Sequence, residues 1–313
     1  MENYKFTIIQ YLKLINIKLI FNFLLILYIN NINRMKSKAK VCLCTLGKEE
    51  NRYIREFVSY YKKIGIDKIY LYDNNNINGE RFEDIIQDFI NFGFIEVINW
   101  RGIKTPQLQI MNNCYKNQYK NYNWLLFYDI DEFIYLRDYS NIKDFLNEKK
   151  FFHCQLIYLN LIVHTDNNQI YYKNKSLFER FPEVVPLTKP EGKRLEIKFI
   201  LRGHIPNIKI ISEHYCNHEL KNCNGFGKHN TNRNIYTKEP DYYYYFIHHF
   251  FSKSTEELIN KILRGDGKFN NSKRKYNKIR RYFKQININK VKVDYLEKLL
   301  VINLSKYRSK FKK

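Results

Sequence analysis

The acidic stretch YDIDEFI, Tyr128–Ile134, carries the clearest chemistry in the sequence. An apolar run, WLLF (Trp124–Phe127), leads straight into Asp129, Asp131 and Glu132. Carboxylates at i and i+2 of a strand share one face. A turn starting there lets both approach one hard divalent cation, a kind of ion that takes oxygen ligands and bridges substrate phosphates. The bland reading is an acidic turn at a strand end. Two aspartates one residue apart are a weak signal alone, and the flanking apolar residues strengthen it.

Other groups are less specific. His248 and His249 are adjacent, so a strand presents only one of them to a given face. His153, His164, His204, His214 and His218 read as satisfied core or surface residues. His214, Cys216, His218 and Cys223 fall within ten residues and could hold zinc. Their spacing matches no familiar zinc module, and a surface loop with incidental thiols is the favoured reading. The six cysteines include no Cys-x-x-Cys. In a chain of this size they do not read as a disulfide framework, which favours a reducing compartment.

The elements that must position the acidic stretch follow in order. Val41–Thr45 is a buried strand. Ile54, Phe57, Val58, Tyr61 and Ile64 recur at helical spacing, and Gly65 stops the helix. Lys68–Asp73 is a second strand and Asn74–Gly79 a turn. A helix over Phe82–Ile90, a strand at Phe94–Ile98, a helix near Gln107–Tyr119 and a strand at Trp124–Asp131 complete the run. This alternation predicts an α/β fold, with a mainly parallel sheet flanked by helices. Ligands of such sheets bind at the C-terminal edge of the strands. Thr45, Asp73, Asp129 and Asp131 all fall there. After Asp131 the pattern loosens into a less regular half. Strands are expected at 151–161, 169–172, 197–201 and 208–211, with a loop over 173–193. Ser254-Thr-Glu-Glu257 reads as a capping box opening a helix after the aromatic run Tyr242–Phe251.

With these residues in place, the chain resembles GT-A-fold glycosyltransferases, of the kind grouped as family 92 and its family 2-like relatives. CLCTLGKEENRYIREFVSYYKKIGIDKIYLYDNNN resembles the opening nucleotide-binding block. Gln107–Cys114 resembles the family's Gln-containing helix, NWLLFYDIDEFIYL its metal-binding strand, and HFFSKSTEELINKILRGD its C-terminal block. The likeness covers roughly Lys40 to Asp266, loosely at the centre. It implies a Rossmann-like GT-A domain over 37–267 and a divalent cofactor, Mn²⁺ or Mg²⁺, held by Asp129, Asp131 and His249. It also implies a nucleotide-sugar donor, a UDP-sugar, near Thr45, Glu50, Asp73, Gln107, Asp129 and Lys253, with Arg264 as a further cation for the diphosphate. Phe250 stands where the family usually has tyrosine, and Tyr61 where histidine is common. The expected activity is inverting transfer of a sugar to a hydroxyl of a glycan or glycolipid. The general base is undetermined, with Glu179, Glu191, Glu213, Glu219, Glu239 and Asp241 as candidates.

Composition narrows the alternatives. A hydrophobic share of 44% and an aromatic share of 17% exclude a disordered chain. The net charge of +23 is concentrated at the C-terminal end, where Lys268–Lys313 carries 16 Lys and Arg against Asp294 and Glu297. A basic helical tail over 268–313 suits an anionic membrane surface, or is a solvated face. Residues 6–32 are rich in Ile, Leu and Phe but interrupted by Lys13 and Lys18. Segment 1–36 reads either as a single-pass anchor through residues 8–32 or as a segment before a true start at Met35. The expected location is cytoplasmic and peripheral at the membrane, with the anchored form as the alternative. Rival functions are a basic nucleic-acid-binding protein, a metal-dependent nucleotidyltransferase, and a silent relative that only binds glycan. No nucleic-acid-binding motif is recognisable, and no specific nucleic-acid partner is expected.

Overall fold

The computed structural model describes residues 39–104, 106–184, 196–216, 220–229 and 243–265. Segments 1–36 and 268–313, including the proposed anchor and basic tail, lie outside the described residues. Two compact units divide the chain, Met1–Ala39 and Lys40–Lys313, and every element below belongs to the second.

The first half folds as the hydrophobic periodicity requires. Strand β1 (Val41–Gly47) is buried along nearly its whole length, as a strand covered on both faces must be. Helix α1 (Asn51–Lys63) buries Tyr53, Ile54, Phe57, Val58 and Tyr61 at three- and four-residue intervals. Gly65 then reverses the chain at φ +95°, a conformation open to glycine at no steric cost. Strand β2 (Lys68–Asp73), helix α2 (Glu83–Asn91), strand β3 (Ile95–Asn99), helix α3 (Gln107–Gln118) and strand β4 (Trp124–Phe127) follow. β1 pairs in parallel with both β2 and β4, and β2 with β3. The four strands therefore end on one edge.

The second half is mixed. It contains β5 (Glu132–Leu136), α4 (Ile142–Leu146), β6 (Leu156–Val163), α5 (Leu177–Arg180), β7 (Ile197–Arg202), β8 (Ile210–Ser212), β9 (Tyr215–Cys216), β10 (Asn222–Asn224), β11 (Tyr245–His249) and α6 (Thr255–Arg264). The main sheet runs β3-β2-β1-β4-β7-β6-β11-β5, with β10 also on β6. β7 is antiparallel to β4 and β6, and β11 is parallel to β6 and antiparallel to β5. The sheet is thus mostly parallel and flanked by helices, as expected.

Several expectations need correction. Residues 169–172 form no strand; they are a loop held to α6, with Thr255 N donating to Gln169 O and Tyr172 N to Glu256 Oε2. β6 starts at Leu156, because a 3-10 turn occupies Lys149–Phe151. Strand β5 begins inside the acidic stretch itself. The segment expected as loop contains α5, opened by a capping box in which Ser176 Oγ accepts from Glu179 N. The capping box at Ser254 is present as expected.

The cysteines are also corrected. Cys44 on β1 is disulfide-bonded to Cys114 on α3, and Cys154 to Cys223. Both bridges join segments about 70 residues apart that only the fold brings together. Spacing along the chain carried no sign of them. Cys42 and Cys216 are free and buried.

Candidate active site

β4 delivers the acidic stretch to the C-terminal edge of the sheet. Glu132 N donates to Asp129 O at 3.0 Å, and Glu132 Oε2 accepts from Asp129 N at 3.0 Å, so Glu132 closes the turn. The chain then reverses into β5, whose antiparallel partner β11 places His249 directly opposite Glu132. Phe250 N donates to Asp131 O at 2.9 Å and fastens the two ends together. This pairing decides between the two adjacent histidines. His249 faces the carboxylates. His248 turns to the other side, where its Nδ1 lies 2.8 Å from His164 Nε2. Burial lowers the pKa of His248 to about 3 and that of His164 to about 4.

The carboxylates meet cations that the sequence analysis did not single out for this role. Lys198 on β7 lies 2.9 Å from Asp129 Oδ2 and 3.1 Å from Glu132 Oε2. Burial opposes its charge, and Asp129 and Glu132 more than restore it. Lys261 on α6 lies 2.5 Å from Asp131 Oδ2, and Lys253 lies 3.6 Å from the same oxygen. Burial pushes the Asp131 carboxyl up, but Lys261, Lys253 and then His249 hold it well below the usual carboxylate range. Glu132 behaves oppositely. Burial pushes its pKa up to about 8; Lys198 pulls against this, while Asp129 and Asp131 add to it. One signal for Lys198 was legible. It is a lone lysine in the apolar run IKFILR, and buried lysines are seldom without a partner.

The remaining predicted residues divide. Lys253 is in the site, with Nζ 3.2 Å from Glu50 Oε2. Glu50, expected near a nucleobase, is the buried counter-ion of Lys253 and Arg264. Burial raises its pKa, and those two cations bring it below the ordinary value. Arg264 also donates to Glu49 O at 2.6 Å. Asp73 lies at the end of β2 with Oδ2 2.6 Å from Arg101, whose guanidinium also donates to Asn76, Ile77 and Glu80 carbonyls. Its carboxylate thereby organises the Asn74–Gly79 turn. Thr45 is buried at the end of β1, and its hydroxyl has no protein partner. Gln107 is half-buried at the first turn of α3. A cavity of about 530 Å³ opens beside Glu50, Lys253 and Arg264, walled by the loop after β1 and by α6. Its charged lining is mixed, with Lys48, Arg52, Lys253, Lys261 and Arg264 against Glu49, Glu50, Glu80 and Glu257.

Of the candidate bases, Glu179 is in the α5 capping box, and Glu213 lies 3.0 Å from His214 Nε2. Glu191, Glu219, Glu239 and Asp241 lie outside the described residues. The suggested zinc group is not assembled. Cys223 is in a disulfide, Cys216 is in the core, His214 Nδ1 donates to Ile197 O, and His218 lies outside the described residues. Among the described residues, one group of three His, Cys, Asp or Glu side chains has its ligand atoms within 4.8 Å of one another, His153 with Cys154 and Cys223, and its two sulfurs are bonded to each other.

The sequence model of glycosyltransferase family 92 matches residues 37–299, most of the chain. The chain belongs to glycosyltransferase family 92. Curated family 92 proteins align with short parts of it. One from Arabidopsis thaliana is 29% identical over 98 residues, covering 31% of this chain and 17% of its own length. One from Ricinus communis is 27% identical over 106 residues, covering 34% of this chain and 19% of its own. One from Oryza sativa subsp. japonica is 26% identical over 108 residues, covering 34% and 18%. The alignments thus span less than a fifth of those relatives. Among solved structures, S. aureus TarS 1-349 is similar at 15% identity and TM-score 0.37, covering 75% of this chain and 68% of that one. Its complex with UDP-GlcNAc gives TM-score 0.31 at 15% identity, covering 43% and 37%.

The two family 92 departures are accommodated without loss of a carboxylate or imidazole. Phe250 is buried and stacks on His164 at 4.1 Å. Tyr61 donates its hydroxyl to Glu132 O at 2.8 Å, bracing the turn from below. The residues present also fit a divalent ion. His249 Nε2 stands 3.8 Å from Asp131 Oδ1 and 3.9 Å from Glu132 Oε1, too far for hydrogen bonds. Glu132 Oε1, which faces His249 Nε2, is buried with no hydrogen-bond partner. Buried polar atoms are seldom left so, and one oxygen-and-imidazole set is what a hard or borderline cation takes. Asp131 and His249 are the residues placed to hold it. Asp129 is turned to Lys198.

Proposed function

We propose that this family 92 chain is a metal-dependent glycosyltransferase. It moves a sugar from a nucleotide diphosphate donor, a UDP-sugar, to a hydroxyl of a glycan or glycolipid, with inversion. The observation that carries this reading is the junction of β4 and β11. There Asp131 and His249 face each other at the ligand edge of the sheet, beside a cavity lined by Lys253, Lys261 and Arg264.

Glycosyl transfer needs the departing diphosphate neutralised. A divalent ion bound at Asp131 and His249 would supply a Lewis acid for that charge. The chain's own groups do the rest. Lys253 and Arg264 place positive charge at the cavity wall, held in position by Glu50. Lys198 ties Asp129 to Glu132 and fixes the turn. His249, its pKa lowered to about 4 by burial against the pull of Asp131, is neutral at ordinary pH and keeps a lone pair for a ligand.

Location is a proposal too. Two disulfides support an oxidising compartment, which favours the anchored alternative through residues 8–32 over the cytoplasmic one. Peripheral docking through the basic segment 268–313 is tested by vesicle co-sedimentation of a chain ending at residue 267. Undiminished membrane association would discard it.

The activity is tested with UDP-, GDP- and CMP-sugars and Mn²⁺ or Mg²⁺, beside Asp131→Ala. Turnover or binding of one donor, absent in the variant, supports the reading. No donor binding, with salt-sensitive DNA binding instead, would favour the basic nucleic-acid-binding alternative. Consumption of a nucleoside triphosphate would favour the nucleotidyltransferase.

A further inference from the structure

Eight charged groups form ion pairs at the acidic turn and along the cavity wall beside it. Four are carboxylates, Glu50, Asp129, Asp131 and Glu132, and four are cations, Lys198, Lys253, Lys261 and Arg264. Burial keeps Glu132 protonated over much of the neutral range, so the set holds no excess of negative charge before any ligand arrives. A divalent ion entering alone would put two uncompensated positive charges into a site withdrawn from water. Unpaired buried charge is strongly unfavourable. A nucleotide diphosphate entering alone would bring the opposite imbalance. The two ligands therefore favour each other, provided that one resident cation can change partner.

The four cations differ in their freedom to do so. Lys198 is 3% exposed and clamped between two carboxylates. Lys253 is 4% exposed and shared between Glu50 and Asp131. Arg264 binds both the Glu50 carboxylate and the Glu49 carbonyl. Lys261 is 22% exposed, has Asp131 as its one ion-pair partner among the described residues, donates a long hydrogen bond to Phe251 O at 3.4 Å, and lines the cavity. Its stem comes from α6, and its ammonium rests 4.2 Å from the centre of the Phe251 ring. Lysine is a flexible point charge on a long stem, suited to such an exchange.

We propose that Lys261 is an exchangeable counter-ion that couples metal binding to donor binding. In the unloaded protein it neutralises Asp131. When the divalent ion takes Asp131, Lys261 turns into the cavity and pairs with the donor's diphosphate. Lys261 thus raises the affinity for the diphosphate and, until a diphosphate is present, competes with the metal. The proposal rests on the function proposed above, and it assigns Lys261 a positioning role that the family resemblance did not supply.

The test measures Mn²⁺ binding to the full chain by isothermal titration, without nucleotide and with saturating UDP. In the wild type, UDP is expected to tighten Mn²⁺ binding by a factor within the usual coupling range of about 5–150, and Mn²⁺ to tighten UDP binding equally. Lys261→Met is expected to bind Mn²⁺ about tenfold more tightly without UDP and to lose most of the coupling. Lys261→Arg keeps a charge on a long stem and is expected to retain coupling. Circular dichroism melts of each variant confirm folding. Unchanged Mn²⁺ affinity and unchanged coupling in Lys261→Met would overturn the proposal while leaving the glycosyltransferase reading intact. A wild-type chain that binds neither Mn²⁺ nor UDP would overturn both.

Discussion

His249 Nε2 stands 3.8 Å from Asp131 Oδ1, although 118 residues separate them along the chain. The contact exists because β11 pairs with β5, and β5 starts one residue after Asp131. Removing either group should therefore act on one binding event. His249→Ala is expected to weaken Mn²⁺ by at least the 10–100-fold seen when supporting groups of metal sites are lost, roughly estimated. Asp131→Asn should do the same. The double variant should be little worse than either single one, because the interaction is shared. Mn²⁺ titration measures this directly, and additive losses would show that the two act separately.

Lys198 should matter for stability more than for chemistry. It is enclosed between Asp129 and Glu132, and Lys198→Met leaves both carboxylates without their cation. Where Glu132 is ionised, above its pKa of about 8, breaking this buried pair from one side costs about 3–5 kcal/mol, and the 39% exposed Asp129 loses less. Urea unfolding at about pH 8.5 should show a lower midpoint at similar slope. Adding Glu132→Gln should recover part of the loss, since it removes the stranded buried charge.

Glu132 predicts a pH dependence of known sign. Burial raises its pKa in the folded protein to about 8, above the ordinary value. The folded state thus binds its proton more tightly than the unfolded state does. Its contribution to stability is full below the unfolded pKa of about 4.3 and is lost as pH rises toward 8. Melts of Glu132→Gln between pH 4.5 and 8.5 should show a flatter decline than the wild type. Equal slopes would mean that Glu132 is already ionised across this range.

The disulfide between β1 and α3 should be worth keeping. Cys114→Ser opens a bridge whose ends are 70 residues apart. Such bridges contribute about 2–5 kcal/mol when native. The melting temperature should fall, and a reducing agent should lower that of the wild type but change Cys114→Ser less.

Much of the first half was legible in the residues. Alternation of strand and helix between Val41 and Phe127 predicted a parallel sheet, because buried strands and amphipathic helices have distinct periods. The acidic stretch was legible as the end of β4, since an apolar run can deliver carboxylates only where it meets water or a ligand. The second half was harder to read because several of its strands are short, parallel and antiparallel pairings are mixed, and the partners are distant in sequence. Residues 169–172 have strand-like composition but find no ladder, and Tyr172 instead donates its backbone N–H to a carboxylate on α6.

Sequence alone determined which residues were candidates for the chemistry. Asp129 and Asp131 were nameable from type and local pattern, because strand periods and turn propensities are properties of neighbouring residues, and His249 and Lys253 from the family resemblance. Only the tertiary structure decided what each one faces. It turned Asp129 to Lys198 and Asp131 to Lys261 and His249, made Glu50 a counter-ion, set Asp73 against Arg101, and joined four cysteines in two bridges. The reason is that charge pairing in a buried site depends on distance and dielectric. Both are set by how β7, β11 and α6 come together around the end of β4.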